Sequence, residues 1–281
     1  MFSDLTDRQW LWFAAAFYLA GFLDGAVSLM RGGRPSSSRI YLLTAAGYVL
    51  QVIGLGIRGK AVGGCPLGNT FEIFQFTAWS AISLNLVVGV TFRSSILGLF
   101  TACLAATLTV VSLAIPSWDA HLRLHIFGGN PWIEFHAALA IFSYGVFALL
   151  ALTSAMFLFR NHSLKSKHLE GWVAFLPSIR DLDLIGVRLL AFGSGLLGAA
   201  LVVGFVYWSR DLSSVSKPKL VATVVVWLVS LATLVLRVNS RLIAKRFAWT
   251  CLALFVAALL SLGIVDKSRH PPATEVQLTQ Q

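Results

Sequence analysis

Residues 130–160 read NPWIEFHAALAIFSYGVFALLALTSAMFLFR. Between Ile133 and Phe159 the only charged side chain is Glu134, and Arg160 closes the run. A helix of about 20 apolar residues crosses the hydrocarbon core of a bilayer, so this stretch is long enough to span a membrane. Seven further runs of the same kind flank it, near Trp10–Met30, Ile40–Ile57, Phe71–Thr91, Ser95–Ile115, Leu184–Trp208, Leu220–Leu236 and Phe247–Val265. The connections are short, the longest covering residues 116–132 and 160–183. The sequence therefore predicts an all-α fold, a polytopic integral membrane helical bundle of about eight transmembrane helices with no soluble domain. Its expected divisions are a short N-terminus over residues 1–9, a single transmembrane domain over 10–265 and a disordered C-terminal tail over 266–281.

Composition points the same way. Of 281 residues, 57% are apolar before glycine is counted and 12% are charged. Soluble domains hold about 45–50% apolar residues with glycine included and about 25% charged ones. A soluble chain of this size could not hide so much apolar surface from water. The formal net charge is +10, which in a soluble protein raises nucleic acid as a partner. Here the basic residues lie mostly in short loops, where they set orientation and meet lipid headgroups. Membrane lipid is the expected contact and nucleic acid is not. Lysine and arginine favour the side that receives the loops after the first, third, fifth and seventh runs. Placing that side in the cytoplasm puts both termini outside, across a bacterial-type cytoplasmic (inner) membrane.

Other signals narrow the chemistry. Cys65, Cys103 and Cys251 are far apart, with no CxxC and no CxxCH haem-attachment site, so the chain is not itself a c-type cytochrome. Cys103 and Cys251 lie inside apolar runs and read as packing residues. The first apolar run follows Asp4 and Asp7 rather than a basic segment, so no cleavable signal peptide is expected. No Walker motif, GxSxG, HExxH or carboxylate pair occurs, and no catalytic residue is assigned. A transporter would show internal repeats or paired broken helices, and the sequence shows neither.

Polar residues at membrane depth or clustered at one surface carry the functional information. The orientation puts two such clusters outside. The first is Gly63-Gly64-Cys65-Pro66-Leu67-Gly68-Asn69-Thr70-Phe71-Glu72, a tight loop leading into the third span. Asn69 or Thr70 can cap that helix, and Glu72 stands in its first turn, where the dipole favours a carboxylate. This pattern fits a capped helix start as well as a binding loop. The second cluster, Trp132-Ile133-Glu134-Phe135-His136, opens the fifth span. Ala140 and Ser143 follow His136 down the same helix face. Imidazole above a shelf of small residues can ligate the iron of a flat ligand such as haem. The same arrangement fits a histidine bonded to a loop over closely packed helices. His121 and His125, in the preceding loop, are candidates for a second axial ligand or for solvated loop residues.

Together these motifs resemble the cytochrome c assembly proteins of the CcsA and HemX-like type, multi-span haem-handling membrane proteins. That family carries a P-L-x-N-x-[FY]-E stretch at the start of an early helix, here Pro66-Leu67-Gly68-Asn69-Thr70-Phe71-Glu72. It also carries H-x(6)-S-Y opening a middle helix, here His136 followed by Ser143-Tyr144. Lys219-Leu220 to Trp227, with the basic loop from Arg237 to Arg246, is a further match, so the resemblance covers roughly residues 40–265. The haem-attaching members have a W-G-x-x-W-x-W-D stretch after the sixth span, where this chain has Tyr207-Trp208-Ser209-Arg210-Asp211-Leu212-Ser213-Ser214. Val235 stands where those members have a histidine. The chain is thus closer to the shorter HemX-like members.

The resemblance implies non-covalent, b-type haem binding near His136, with His136, Ser143, Tyr144, Glu72, Asn69 and Trp132 as cofactor-binding residues. It implies an accessory role in c-type cytochrome biogenesis, with other biogenesis proteins as partners. The alternative it leaves open is a membrane regulator of a tetrapyrrole or haem-biosynthesis enzyme that binds no haem. A small-molecule transporter is a further alternative.

Overall fold

The computed structural model describes residues 5–92, 95–120, 122–126, 130–166, 176–208 and 217–267. Those residues form eight α-helices: α1 (Asp7–Met30), α2 (Ser37–Val62), α3 (Thr70–Phe92), α4 (Ser95–Ala114), α5 (Pro131–Lys165), α6 (Ile179–Trp208), α7 (Lys217–Val238) and α8 (Ala244–Lys267). A single 3-10 turn, Pro116–Asp119, follows α4. The expected tail beyond Lys267, His121 and the segment Ser209–Ser214 lie outside the described residues.

Helix starts follow capping chemistry. Thr6 and Gln9 form a reciprocal capping box at α1. Asn130 Oδ1 accepts the Trp132 N–H at 3.0 Å, with Pro131 in the first turn of α5. Ser178 accepts the Asp181 N–H at 3.1 Å as α6 begins. At the other end of α2, Gly63 takes φ 72°, the left-handed conformation that ends a helix and that glycine adopts without steric cost.

Six of the eight helices, α1, α2, α4, α5, α6 and α7, are long and apolar enough to cross a membrane. In α3, Glu72, Gln75 and Asn85 interrupt the apolar character, and all three are buried inside the bundle. Outward surfaces carry large apolar side chains such as Leu42, Val202, Phe205 and Leu260, all more than 60% exposed. Such a surface suits hydrocarbon rather than water. The molecule is a multi-pass membrane protein.

The helices pack as two four-membered rings. In the first, α1 lies against α2 and α4, and α3 closes the ring against both. In the second, α5 lies against α6 and α8, and α7 closes it. The rings meet chiefly along α3 and α5. Small residues let backbones approach within each ring: a Cβ on Gly47 would meet the Tyr18 ring at 2.7 Å, and one on Gly54 would meet Leu11 at 2.9 Å. A buried polar chain also crosses the first ring. Tyr18 donates to Gln51 Oε1 at 2.8 Å, Gln51 donates to Gln75 Oε1 at 2.9 Å, and Gln75 donates to Ser112 Oγ at 2.8 Å. Up-and-down connectivity brings the starts of α1, α3, α5 and α7 to the same end as the last turns of α2, α4 and α6.

Candidate functional site

That end holds the polar chemistry, and it begins with an arginine. Arg58 lies near the end of α2, only 9% exposed at its side chain. A buried cation must be paired, and the planar guanidinium can serve several acceptors at once. Its Nε donates to Glu72 Oε1 at 2.8 Å and its Nη1 to Asp7 at 3.1 Å, while Nη2 is paired with Asp119. Arg8 adds a second cation, donating to Asp119 Oδ2 at 2.7 Å and to the Leu113 carbonyl at 2.9 Å. Both guanidinium groups stand 5.3 Å from the centre of the Phe71 ring, within cation–π range. Five elements are thereby tied together: the starts of α1 and α3, the ends of α2 and α4, and the 3-10 turn.

Glu72 and Asn69 belong to this network. Glu72 is 1% exposed and its Oε2 accepts the Gly68 N–H at 2.6 Å. Asn69 caps α3 by accepting the Glu72 N–H at 2.9 Å and donates its Nδ2 to Asp119 at 3.2 Å. The loop 63–69 is thus held from below by the carboxylate that its own helix presents.

The same loop reaches the second ring. Glu134 of α5 accepts the Cys65 N–H at 3.2 Å through Oε2, and its carboxylate lies against Gly64. His125 donates its backbone N–H to the Val62 carbonyl at 2.9 Å and lays its imidazole over Gly63, where any Cβ would collide with it. Cys65, beside two carboxylates, is poorly placed to be a nucleophile. Burial, then Glu134 and Glu72, push its thiol up to about 11. Near neutral pH the thiolate is the reactive form. Alkylation of Cys65 by iodoacetamide near pH 8, followed by mass spectrometry of its peptide, is expected to run about 100-fold slower than for a free thiol. The rate should climb as the pH approaches 11, and Glu134→Gln should speed alkylation.

His136 sits one turn into α5 and is half-buried against α6. Its Nδ1 is 2.6 Å from the Ala200 carbonyl oxygen. A carbonyl only accepts, so Nδ1 carries the proton and the Nε2 lone pair defines the tautomer. Ala140, one turn below, is half-buried, whereas Ser143 is fully buried and donates to the Ala140 carbonyl at 2.6 Å. The ledge beneath His136 therefore ends at Ala140. Tyr144 is 4% exposed within the α5 core, and Trp132 is 64% exposed at the lip of the helix.

The residues singled out in the sequence thus fall into two groups at one end of the molecule. Glu72 and Asn69 are in the ionic network, while His136 and Trp132 are at the start of α5, with Ser143 and Tyr144 deeper in that helix. Glu134 and loop 63–69 connect the groups. Sequence reading did not single out Asp7, Arg8, Arg58 and Asp119, or the Ala200 carbonyl. The available signal was Arg58 itself, a cation directly after an apolar run.

The sequence pattern of the cytochrome C assembly protein family matches residues 67–266. The chain is similar to Protein HemX of Bacillus subtilis, 23% identical over 190 residues that cover 68% of this chain and 69% of that protein. It is similar to Protein HemX of Brevibacillus brevis, 24% identical over 204 residues covering 72% and 75%. It is also similar to the cytochrome c biogenesis protein CcsA of Chlamydomonas reinhardtii, 25% identical over 203 residues covering 67% and 54%.

Proposed function

The chain belongs to the cytochrome c assembly protein family, and from that membership and the setting of His136 we propose that it handles haem as an accessory protein of c-type cytochrome biogenesis. The observation that carries the proposal is the bond from His136 Nδ1 to the Ala200 carbonyl. Histidines that ligate metals characteristically give their other ring N–H to a carbonyl or carboxylate, which fixes the ring and raises its basicity. His136 would offer Nε2 to a haem iron, held non-covalently since the chain has no CxxCH. Trp132, exposed at the lip, would flank the ligand. Glu134 would hold loop 63–69 beside it, with Glu72 and Asn69 fixing that loop from the other ring. His125, over Gly63, is the described candidate for a second ligand; His121 is the other.

The site end is proposed to face the extracytoplasmic side of a bacterial-type cytoplasmic membrane. At this end Arg8 and Arg58 are neutralised by buried acids. The opposite end carries Arg31, Arg34, Arg241, Lys245 and Arg246 at exposed positions, against exposed Lys60 at the site end, and this excess is what the positive-inside rule asks of a cytoplasmic face. Partners would be other biogenesis proteins that pass haem to or from this face.

The test is the absorption spectrum of protein purified from cells supplied with haem. A Soret band is expected, reduced severalfold in His136→Ala. Protein that never carries haem, or a band indifferent to His136, would sink the proposal. Deletion should remove c-type cytochromes at normal haem levels. Altered haem or precursor levels instead would favour a membrane regulator of a haem-biosynthesis enzyme.

A further inference from the structure

The end of the bundle opposite His136 carries a groove of another character. It runs between the last turns of α5 and the first turns of α8 and has a volume of about 530 Å³, within the range of about 300–1,000 Å³ typical of ligand clefts. Its floor is apolar, formed by Ala155, Leu158 and Leu252. Phe159 and Trp249 flank it, 58% and 59% exposed. At its mouth stand Lys165 from α5 and Lys245 from α8, with His162 beside them. Among the described residues that line the groove there is no acid. The described carboxylates of this end are engaged elsewhere: Asp24 with Arg39, Asp181 with Ser178, and Asp183 with Arg237.

We propose that this groove binds one anionic phospholipid, with an acyl chain along the α5–α8 floor and the phosphate between Lys165 and Lys245. The order of surfaces along the groove matches the order of groups in such a lipid. Hydrocarbon meets the alanine and leucine floor, and the aromatic pair stands at the depth where tryptophan prefers the membrane interface. The lysines, whose stems run along apolar surface while their ammonium groups reach the headgroups, meet the anion. Two cations supplied by two different helices, with no acid among the described lining residues, favour a negatively charged headgroup over a zwitterionic one. Free phosphate would use the lysines and leave the floor bare.

Trp249 reports occupancy. The protein is placed in nanodiscs of phosphatidylcholine containing a small fraction of brominated lipid, and the fluorescence lost on Trp249→Phe is taken as the Trp249 signal. Brominated phosphatidylglycerol is expected to quench that signal at about one-thirtieth the mole fraction needed by brominated phosphatidylcholine, about fivefold per lysine. In the Lys165→Gln/Lys245→Gln double variant, whose sites are exposed and tolerate change, the two lipids should quench alike. Inorganic phosphate should not relieve the quenching. Equal quenching by both lipids in the unmodified protein would overturn the proposal. So would relief by phosphate alone, or displacement of the brominated lipid by stoichiometric haemin.

Discussion

Arg58→Leu is expected to lower the stability of the protein by about 3–5 kcal/mol, the cost of removing one partner from a buried ion cluster. The cation pairs with Glu72, Asp119 and Asp7, and two of these are almost entirely buried. Arg8 remains bound to Asp119 and the Leu113 carbonyl, so it cannot take over the Glu72 carboxylate. Glu72 would keep only the Gly68 N–H. The loss should be read as a lower midpoint of thermal unfolding in detergent, followed by helical circular dichroism. Adding Glu72→Gln to Arg58→Leu should restore part of it, because a neutral amide is cheaper to bury alone than a carboxylate. Arg58→Leu that unfolds like the unmodified protein would show that the cluster contributes nothing.

Gly145→Leu should have the second largest effect, and at a different place. Gly145 lies on α5 where it meets α3, and a Cβ there would fall on Ser80 Oγ and stand 3.0 Å from the Thr77 carbonyl. Ser80 can rotate away from its own bond to Thr77 O, but the backbone of α3 cannot yield without moving the helix. Overpacking of this kind costs about 1–3 kcal/mol for a modest addition, and a leucine asks for more. Since α3 and α5 form the main contact between the two rings, the strain acts on their association rather than on either ring. Limited proteolysis of Gly145→Leu should therefore cut first in the α4–α5 connection. Gly145→Ala should be partly rescued by Ser80→Ala, which removes the hydroxyl but leaves the residue-80 Cβ at 2.8 Å and the Thr77 carbonyl at 3.0 Å in place.

The helices themselves were legible because each apolar run has about the length that a bilayer-crossing helix needs. Their ends were not. The expected second span stops at Ile57, and the helix continues through Arg58 to Val62, since the charge is neutralised by residues that follow a turn and a 3-10 segment later. The expected sixth span starts at Leu184, whereas α6 begins at Ile179 and takes Asp181 and Asp183 into its first turns. Asp181 is bonded to the Ser178 hydroxyl at 2.6 Å and Asp183 to Arg237 of α7. Hydropathy marks where apolar residues stop. A helix stops where its polar groups run out of partners, and those partners are distant in sequence. The candidate site shows the same limit. Glu72 and His136 could be picked out locally, one in the first turn of a helix and one as a lone imidazole near a membrane boundary. Their partners, Arg58 and the Ala200 carbonyl, lie 14 and 64 residues away, and a carbonyl has no signature in sequence at all.

The ring arrangement bears on how the chain is made. The family pattern begins at Leu67, yet three members of the ionic cluster, Asp7, Arg8 and Arg58, come from α1 and α2 ahead of it. Translation delivers α1 and α2 to the membrane first, with Arg58 accompanied by Asp7 alone. Glu72 arrives with α3, and Asp119 follows α4. By residue 119 every partner of the cluster has been synthesised, before any of α5 exists. The first ring thus has what it needs to close during synthesis, presenting a finished α3 surface on which α5, and with it His136, can then dock.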